Sequence, residues 1–333
     1  MIHKFWLAST LGVALASLIF FETPAHAQFG PPVNCGIPLS DCDFCLCSQG
    51  ISSLEMGGSG VRYDVRYVDL TRIYQDGKLQ TNTNNHVESY FTNSLSLTYR
   101  IFTDLSATLI LPYAHKSETS SDPSELGSAN GPNTLTNIGL GDISLLARYR
   151  LVADHPGSTT RIISVTAGAK FATGSNTLTD VGQPADPDLE LSTGTTDFLL
   201  GMGYIQGFDD WSIGANVLAG IRGPGTGYAG HVYGDNLNYD ITARYRVYPN
   251  DMTDPTIFAA LGIRGEWRGY ELQDGQRIDD SGGDVTYIAP GFQIFISPTF
   301  SFDATVWVPL FHALNGNQIG ETYKFLSGIQ YVF

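Results

Sequence analysis

Positive charge is scarce in this sequence. Its 333 residues carry 18 Lys and Arg against 33 Asp and Glu, a formal charge of −15, which excludes a nucleic-acid binder resting on a basic surface. Charge of either sign is thin, at 15% of residues. An acidic disordered chain is excluded as well, because 18 Phe, 17 Tyr and 4 Trp are far more aromatics than such chains carry. Long apolar runs are missing beyond residue 27, so no second membrane helix of ~20 residues fits. Helix-forming Lys and Glu are few, whereas Gly is plentiful at 37. A mean hydropathy of −0.04 suits a soluble enzyme and suits equally a transmembrane β-barrel, which spends only alternate residues on lipid.

The one apolar run, Phe5 to Phe21, follows a basic start at Met1 to Lys4 and precedes Ala25-His26-Ala27. That small-x-small ending predicts a signal peptide over 1–27, cleaved after Ala27, rather than a retained anchor. The expectation is an exported protein of a Gram-negative cell.

From Val61 onward the chain alternates with the period of a β-strand. Twelve segments are read: Val61–Leu70, Val87–Ile101, Leu105–Lys116, Ile138–Leu151, Arg161–Phe171, Thr196–Gln206, Trp211–Ile221, Leu237–Tyr248, Thr256–Trp267, Val285–Ser297, Thr299–Leu310 and Thr322–Phe333. In the eighth, Leu237, Tyr239, Ile241, Ala243, Tyr245 and Val247 share one face, while Asn238, Asp240, Thr242, Arg244, Arg246 and Tyr248 share the other. A soluble sandwich alternates too, but soluble strands average about 5–6 residues, and these segments reach the ~9–11 needed to cross a membrane. Long polar connections such as 117–137, 174–194 and 268–284 alternate with short ones such as Phe102-Thr103-Asp104, the asymmetry of an outer-membrane barrel. The expected fold is all-β: a transmembrane antiparallel up-and-down β-barrel of bacterial outer-membrane type over 61–333. Residues 28–60 then form a periplasmic cysteine-containing segment, and an even strand number sets that segment and Phe333 at the same end.

Aromatics on the apolar faces fall near strand ends, as girdles do. Tyr67, Tyr99, Tyr149, Tyr245 and Tyr331 are expected at the periplasmic boundary, and Phe91, Tyr113, Phe171, Phe198, Trp267 and Phe325 at the outer one. Pro290 stands where a ladder N–H should be. The apolar phase changes there, from Val285 and Tyr287 to Phe292, Ile294 and Ile296, which predicts a β-bulge at Ala289-Pro290-Gly291.

The last segment, Tyr323 to Phe333, resembles the closing strand that the barrel assembly machinery reads in outer-membrane proteins, with Tyr331 and Phe333 as the assembly signal. Three further pieces are similar to motifs of the meta-pathway phenol-degradation family of outer-membrane transporters. They are Gly139-Leu140-Gly141-Asp142 opening a strand that ends Arg148-Tyr149-Arg150, then Gly168-Ala169-Lys170-Phe171-Ala172-Thr173-Gly174, then Gly194-Thr195-Thr196-Asp197. The likeness spans the last three-quarters of the chain and is specific over 139–201. Ala172 stands where the family leads one to expect Pro, and the cysteine-rich N-terminus is absent from many members. The resemblance implies a barrel for small solutes, aromatic or apolar compounds among them.

Following the alternation, the water-facing side carries Arg62, Arg66, Arg100, Arg148, Arg150, Lys170, Arg244, Arg246, Arg264 and Lys324. Acids such as Glu118, Asp122, Glu125, Asp180, Asp186, Asp188, Glu190, Glu271, Asp274, Asp279, Asp280 and Asp284 are assigned to outer loops, where they could bridge lipopolysaccharide through divalent cations. The lumen cations read either as a constriction selecting anions or as a network paired with Asp64, Asp142, Asp240, Glu266 and Asp303, since buried charges need partners. The lumen face is read as mostly polar outside Trp307 and Tyr248.

Cys35, Cys42, Cys45 and Cys47 suggest two disulfides in an oxidising compartment; three closely spaced thiols leave a metal site as the alternative. Leu46 excludes a c-type haem motif. The cysteine segment is read as a small plug in or below the lumen. No cofactor and no catalytic site is expected, because His86, His115, His155, His231 and His312 lie in no phospholipase-like His-x-Ser-Asn-Gly arrangement. The functional expectation is an outer-membrane channel or transporter for passive passage of small solutes, in contact with lipid and lipopolysaccharide. The alternatives are an anion-selective porin with an Arg-lined lumen, or a structural barrel sheathing a periplasmic electron-transfer partner.

Overall fold

One face of nearly every strand is apolar and turned outward, and the other is polar and turned inward. The computed structural model describes residues 59–333 apart from 122–132, 155–158, 181–182, 209, 224, 226, 249–254 and 298. The expected signal peptide, the N-terminal segment through residue 58 with its four cysteines, and Asp122, Glu125 and His155 lie outside the described residues.

Twelve strands form the barrel: β1 (Gly60–Gln75), β2 (Val87–Phe102), β3 (Leu105–Ser120), β4 in two pieces (Asn133–Leu140 and Ile143–Asp154), β5 (Thr160–Phe171), β6 (Asp197–Gly207), β7 (Trp211–Ile221), β8 (Asn236–Tyr248), β9 (Thr256–Arg268), β10 (Gly283–Ser297), β11 (Phe300–Leu314) and β12 (Asn317–Val332). Each pairs antiparallel with the next, and β12 returns to β1 from Gly60↔Val332 to Gln75↔Asn317, which closes the sheet. Ser59 and Phe333 exchange backbone hydrogen bonds of 3.2 and 2.8 Å, so both ends of the barrel chain meet at the end that carries the short turns. All twelve expected segments are strands, and several run past their expected limits at the end that carries the long loops.

The outer surface is a belt of Leu200, Met202, Ile213, Ile241, Leu261, Ile263, Val308 and Leu310 with exposed aromatics. Exposed apolar side chains around a whole barrel, over an interior of buried Ser, Thr, Asn, Asp and Arg, invert the pattern of a soluble fold and are those of a transmembrane barrel. Among the described residues no helix is long and apolar enough to cross a membrane.

Three local expectations are corrected by the register. Tyr67 pairs with Phe91 and with Phe325, so it belongs to the loop-end aromatics; the next outward residue is Asp69, and β1 is 16 residues long. Pro290 sits in unbroken register opposite Leu261, and β10 is irregular instead at Thr286/Tyr287 and Phe295/Ser297. The phase does not change at Pro290, because Val285, Tyr287 and Ala289 face inward throughout while Phe292 and Ile296 face outward. Finally, Tyr248 is exposed at the end of β8, past a register shift that follows Arg246.

Candidate functional site

The site begins at the break in β4. Leu140 and Ile143 flank Gly141-Asp142, where the strand leaves regular pairing and Gly141 N–H bonds to Pro112 O at 3.0 Å. The piece Asn133–Leu140 pairs with β3. β5 ends at Phe171, and residues 172–196, apart from 181–182, lead from it to β6.

That segment turns into the barrel, and Asp142 is its main fastening. One carboxylate oxygen accepts the N–H groups of Thr173 and Gly174 at 3.1 Å each, and the other accepts Thr193 N–H at 3.1 Å. Lys170 lies 3.8 Å from Asp142 and 2.8 Å from Asp197, which also binds Arg222 at 2.6 Å. Glycine makes the seat: a Cβ at Gly174 would stand 2.6 Å from Leu191 O, and one at Gly139 3.0 Å from Leu191 Cδ1. The three motifs at 139–142, 168–174 and 194–197 thus converge on one device, a clamp for segment 172–196.

From this clamp the segment spans the mouth. Leu189 is fully buried and packs with Val68, Leu70 and Tyr90 of β1 and β2, strands that stand well round the barrel from β5 and β6. Lys116 Nζ donates to the carbonyls of Asp188 and Glu190 at 2.7 and 2.8 Å, and Asn137 donates to Leu189 O at 3.0 Å. Tyr233 OH donates to Pro187 O at 2.8 Å. His231–Val232 pairs with Leu272–Gln273 above the lumen, joining the β7–β8 and β9–β10 loops.

Between these loops lies a cavity of about 550 Å³, lined by His86 and Glu118 of the wall, Asp186, Glu190 and Thr193 of the inward segment, and His231, Tyr233 and Gln273 of the neighbouring loops. His86 Nε2 stands 3.0 Å from Glu88 and 3.4 Å from Glu118. Burial alone would depress this imidazole, but the hydrogen-bonded carboxylates of Glu118 and Glu88 outweigh it and lift the pKa to about 10. Burial raises the Glu190 carboxyl to about 7, against the Leu178 N–H and Lys116, which favour its charged form.

Deeper in the lumen, Tyr74, Val285, Tyr287, Ala289, Trp307, Leu314 and Leu326 form a buried apolar cluster. Arg264 lies over the Trp307 ring at 4.5 Å, and Lys324 over Tyr287 at 5.0 Å. Of this strip the alternation alone places Trp307 in the lumen, whereas it assigns the apolar Val285 and Tyr287 to the lipid face. The signal available was their phase, opposite to Phe292 and Ile296.

The expected lumen cations do not form one ring. Arg62 is buried and bidentate to Asp303 at 2.7 and 3.0 Å, with Asp64 at 2.6 Å. Arg66 and Arg148 are buried beside Thr92 and Thr166, and Arg244 donates to Gln293. Lys170 sits in the clamp, and Lys324 meets Glu266 at 2.7 Å. Arg100 is exposed at the turn-end rim, while Arg150 and Arg246 bind Asp104 and Asp210 of short turns. Each of the three stands where regular pairing stops, at the register shifts Arg100/Phe102, Arg150/Val152 and Arg246/Tyr248. Glu118 is a further correction: it is a buried, inward residue of β3, not a loop acid, because β3 runs on to Ser120. Tyr331 and Phe333 are exposed at the turn end.

A family described as "Putative MetA-pathway of phenol degradation" matches residues 58–308. No curated protein matches the chain. Among solved structures, the COG4313 outer membrane channel from Pseudomonas putida F1 is similar at 18% identity and a TM-score of 0.64, over 83% of this chain and 96% of that one. The β domain of the Bordetella autotransporter BrkA aligns at 11% identity and 0.43, over 83% and 100%, and the translocator domain of NalP from Neisseria meningitidis at 14% and 0.42, over 83% and 88%. The first likeness is one of fold.

Proposed function

We propose that this chain, which belongs to the phenol-degradation family matched above, is a passive outer-membrane channel for small solutes, aromatic and apolar compounds among them. In this reading the turn end faces the periplasm and the loop end the exterior, following the usual asymmetry of such barrels. The observation that carries the solute class is the strip of Tyr287, Trp307, Val285 and Leu326 inside a lumen otherwise walled by polar side chains. An apolar solute leaving water would gain from contact with this buried strip, with face and edge contacts from its rings, once Arg264 and Lys324 move off Trp307 and Tyr287. Segment 172–196, crossing the mouth and seated by Leu189, makes passage depend on its displacement.

The anion-porin alternative loses support from the same geometry. Arg62 is matched by two carboxylates, and Arg150 and Arg246 by one each, which cancels much of the field that a ring of free cations would exert. The partners that go with the favoured reading are outer-membrane lipid and lipopolysaccharide around the belt and loops, and the barrel assembly machinery reading Tyr331 and Phe333. Export by a cleaved 1–27 peptide, and a plug or disulfide role for the cysteine segment, belong to the same proposal. No catalysis is part of it.

Planar-bilayer recording tests the reading. The expected result is weak ion selectivity in a salt gradient, with current interrupted by a neutral aromatic alcohol and not by a sugar of similar size. A strong anion preference would favour the alternative, and no conductance with segment 172–196 shortened would overturn both.

A further inference from the structure

We infer that the solutes this lumen favours are aromatic compounds carrying a hydrogen-bond acceptor, an aryl ketone for example, held with the ring on Trp307 and Tyr287 and the oxygen on the Trp307 indole N–H. The inference rests on the solute reading above and narrows its chemical class. Trp307 is 1% exposed and faces the lumen, yet its Nε1 has no hydrogen-bond partner among the described residues. A buried N–H without an acceptor is costly, and a solute oxygen that reaches it removes that cost. A hydrocarbon of the same shape fills the strip and leaves the N–H unsatisfied.

The neighbouring groups leave that donor to the solute. Of the carboxylates beside the strip, Glu266 takes Lys324 at 2.7 Å, and Glu321 lies 3.2 Å from Arg268, 3.4 Å from Lys324 and 3.6 Å from His312. A second place on the same wall repeats the arrangement. Phe258 of β9 and Phe295 of β10 are buried edge to face, with ring centroids 6.1 Å apart, and Gln293 stands opposite Phe258 in the register. Gln293 is fully buried. Arg244 donates to its Oε1 at 3.2 Å, which fixes the orientation of the amide and leaves Nε2 a donor with no partner among the described residues. Gln293 pairs with Asp303, four residues along β11 from Trp307, so the two places lie about 13 Å apart at ~3.3 Å per residue. From the loop end toward the turn end, each sets a buried aromatic beside an N–H that lacks an acceptor.

The test is heteronuclear NMR of the full chain in detergent, labelled at its tryptophan indoles and titrated with acetophenone and with ethylbenzene. Trp211 and Trp267 are exposed on the lipid face and report partition into detergent. Acetophenone is expected to move the Trp307 indole N–H signal downfield, and to half-saturate it at a concentration about tenfold lower than ethylbenzene needs, the scale of one buried donor satisfied. Trp307→Phe keeps a ring and removes the N–H. In bilayer recordings of this variant the two compounds are expected to interrupt the current for equal times, whereas the parent holds the ketone longer. An equal response of Trp307 to both compounds, or a ketone preference that survives in Trp307→Phe, would overturn this inference and leave the solute reading standing. A Trp307 response no larger than that of Trp211 and Trp267 with either compound would overturn both. Should the variant fail to assemble, the titration of the parent decides alone.

Discussion

Replacing Leu189 with Ala isolates the seat of the inward segment. Leu189 is fully buried, and its contacts with Val68, Leu70 and Tyr90 join the segment to the opposite wall, so the truncation weakens docking rather than the barrel. Removing a buried leucine side chain costs ~2–5 kcal/mol, a transfer loss plus the cavity left behind. At ~1.4 kcal/mol per decade, the docked-to-released ratio falls by about 30-fold or more. Hydrogen exchange reads this at Glu190 and Leu191, whose N–H groups bond to Pro187 O and Ser175 O at 2.9 and 3.0 Å. Both should exchange faster in the variant while strand amides keep their protection, and bilayer recordings should show more frequent opening. Unchanged exchange at these amides, with unchanged opening, would refute the idea that Leu189 holds the mouth closed.

Other consequences follow from the same contacts. Asp142→Ala strips the acceptor from three backbone N–H groups, at ~1–3 kcal/mol for each that stays buried and unsatisfied; limited proteolysis should cut within 172–196 in the variant and spare the parent. Gly174→Ala places a methyl 2.6 Å from Leu191 O and should give the same cleavage with the strands intact. Docking should weaken as pH rises. Glu190 titrates near 7 when docked against an ordinary 4.5, so the docked state holds a proton that the released state gives up between those values. Opening should therefore be more frequent at pH 8 than at pH 6, and the reverse trend would contradict the assignment. Arg246→Ala, which removes a cation already bound to Asp210, should leave the reversal potential in a salt gradient unchanged.

The barrel itself was legible because its signal is local. Alternation, strand length and loop asymmetry are written in neighbouring residues, and all twelve segments became strands. Pairings such as Arg62 with Asp64 and Asp303, and Lys324 with Glu266, could be anticipated because buried charges need partners. The site was not legible, for two reasons. Segment 172–196 is polar enough to read as a solvated loop, and only the three-dimensional meeting of Asp142, Gly174 and Thr193 shows that it folds inward. The apolar lumen strip was hidden because hydrophobicity alone does not say which face of a strand looks at lipid; Val285 and Tyr287 differ from Phe292 and Ile296 only in parity. Glu118 was misplaced because β3 extends beyond the apolar belt, where its alternation becomes Lys, Ser, Glu and Thr.

The claim that matters most is that segment 172–196 closes an otherwise conductive barrel. Single-channel conductance of the parent chain should be compared with that of a chain in which 176–191 is replaced by a short Gly-Ser link, leaving Asp142, Lys170 and Asp197 in place. The account predicts long closed periods with rare openings in the parent and a steady open conductance in the shortened chain. Equal conductance and equal open times in the two would contradict it.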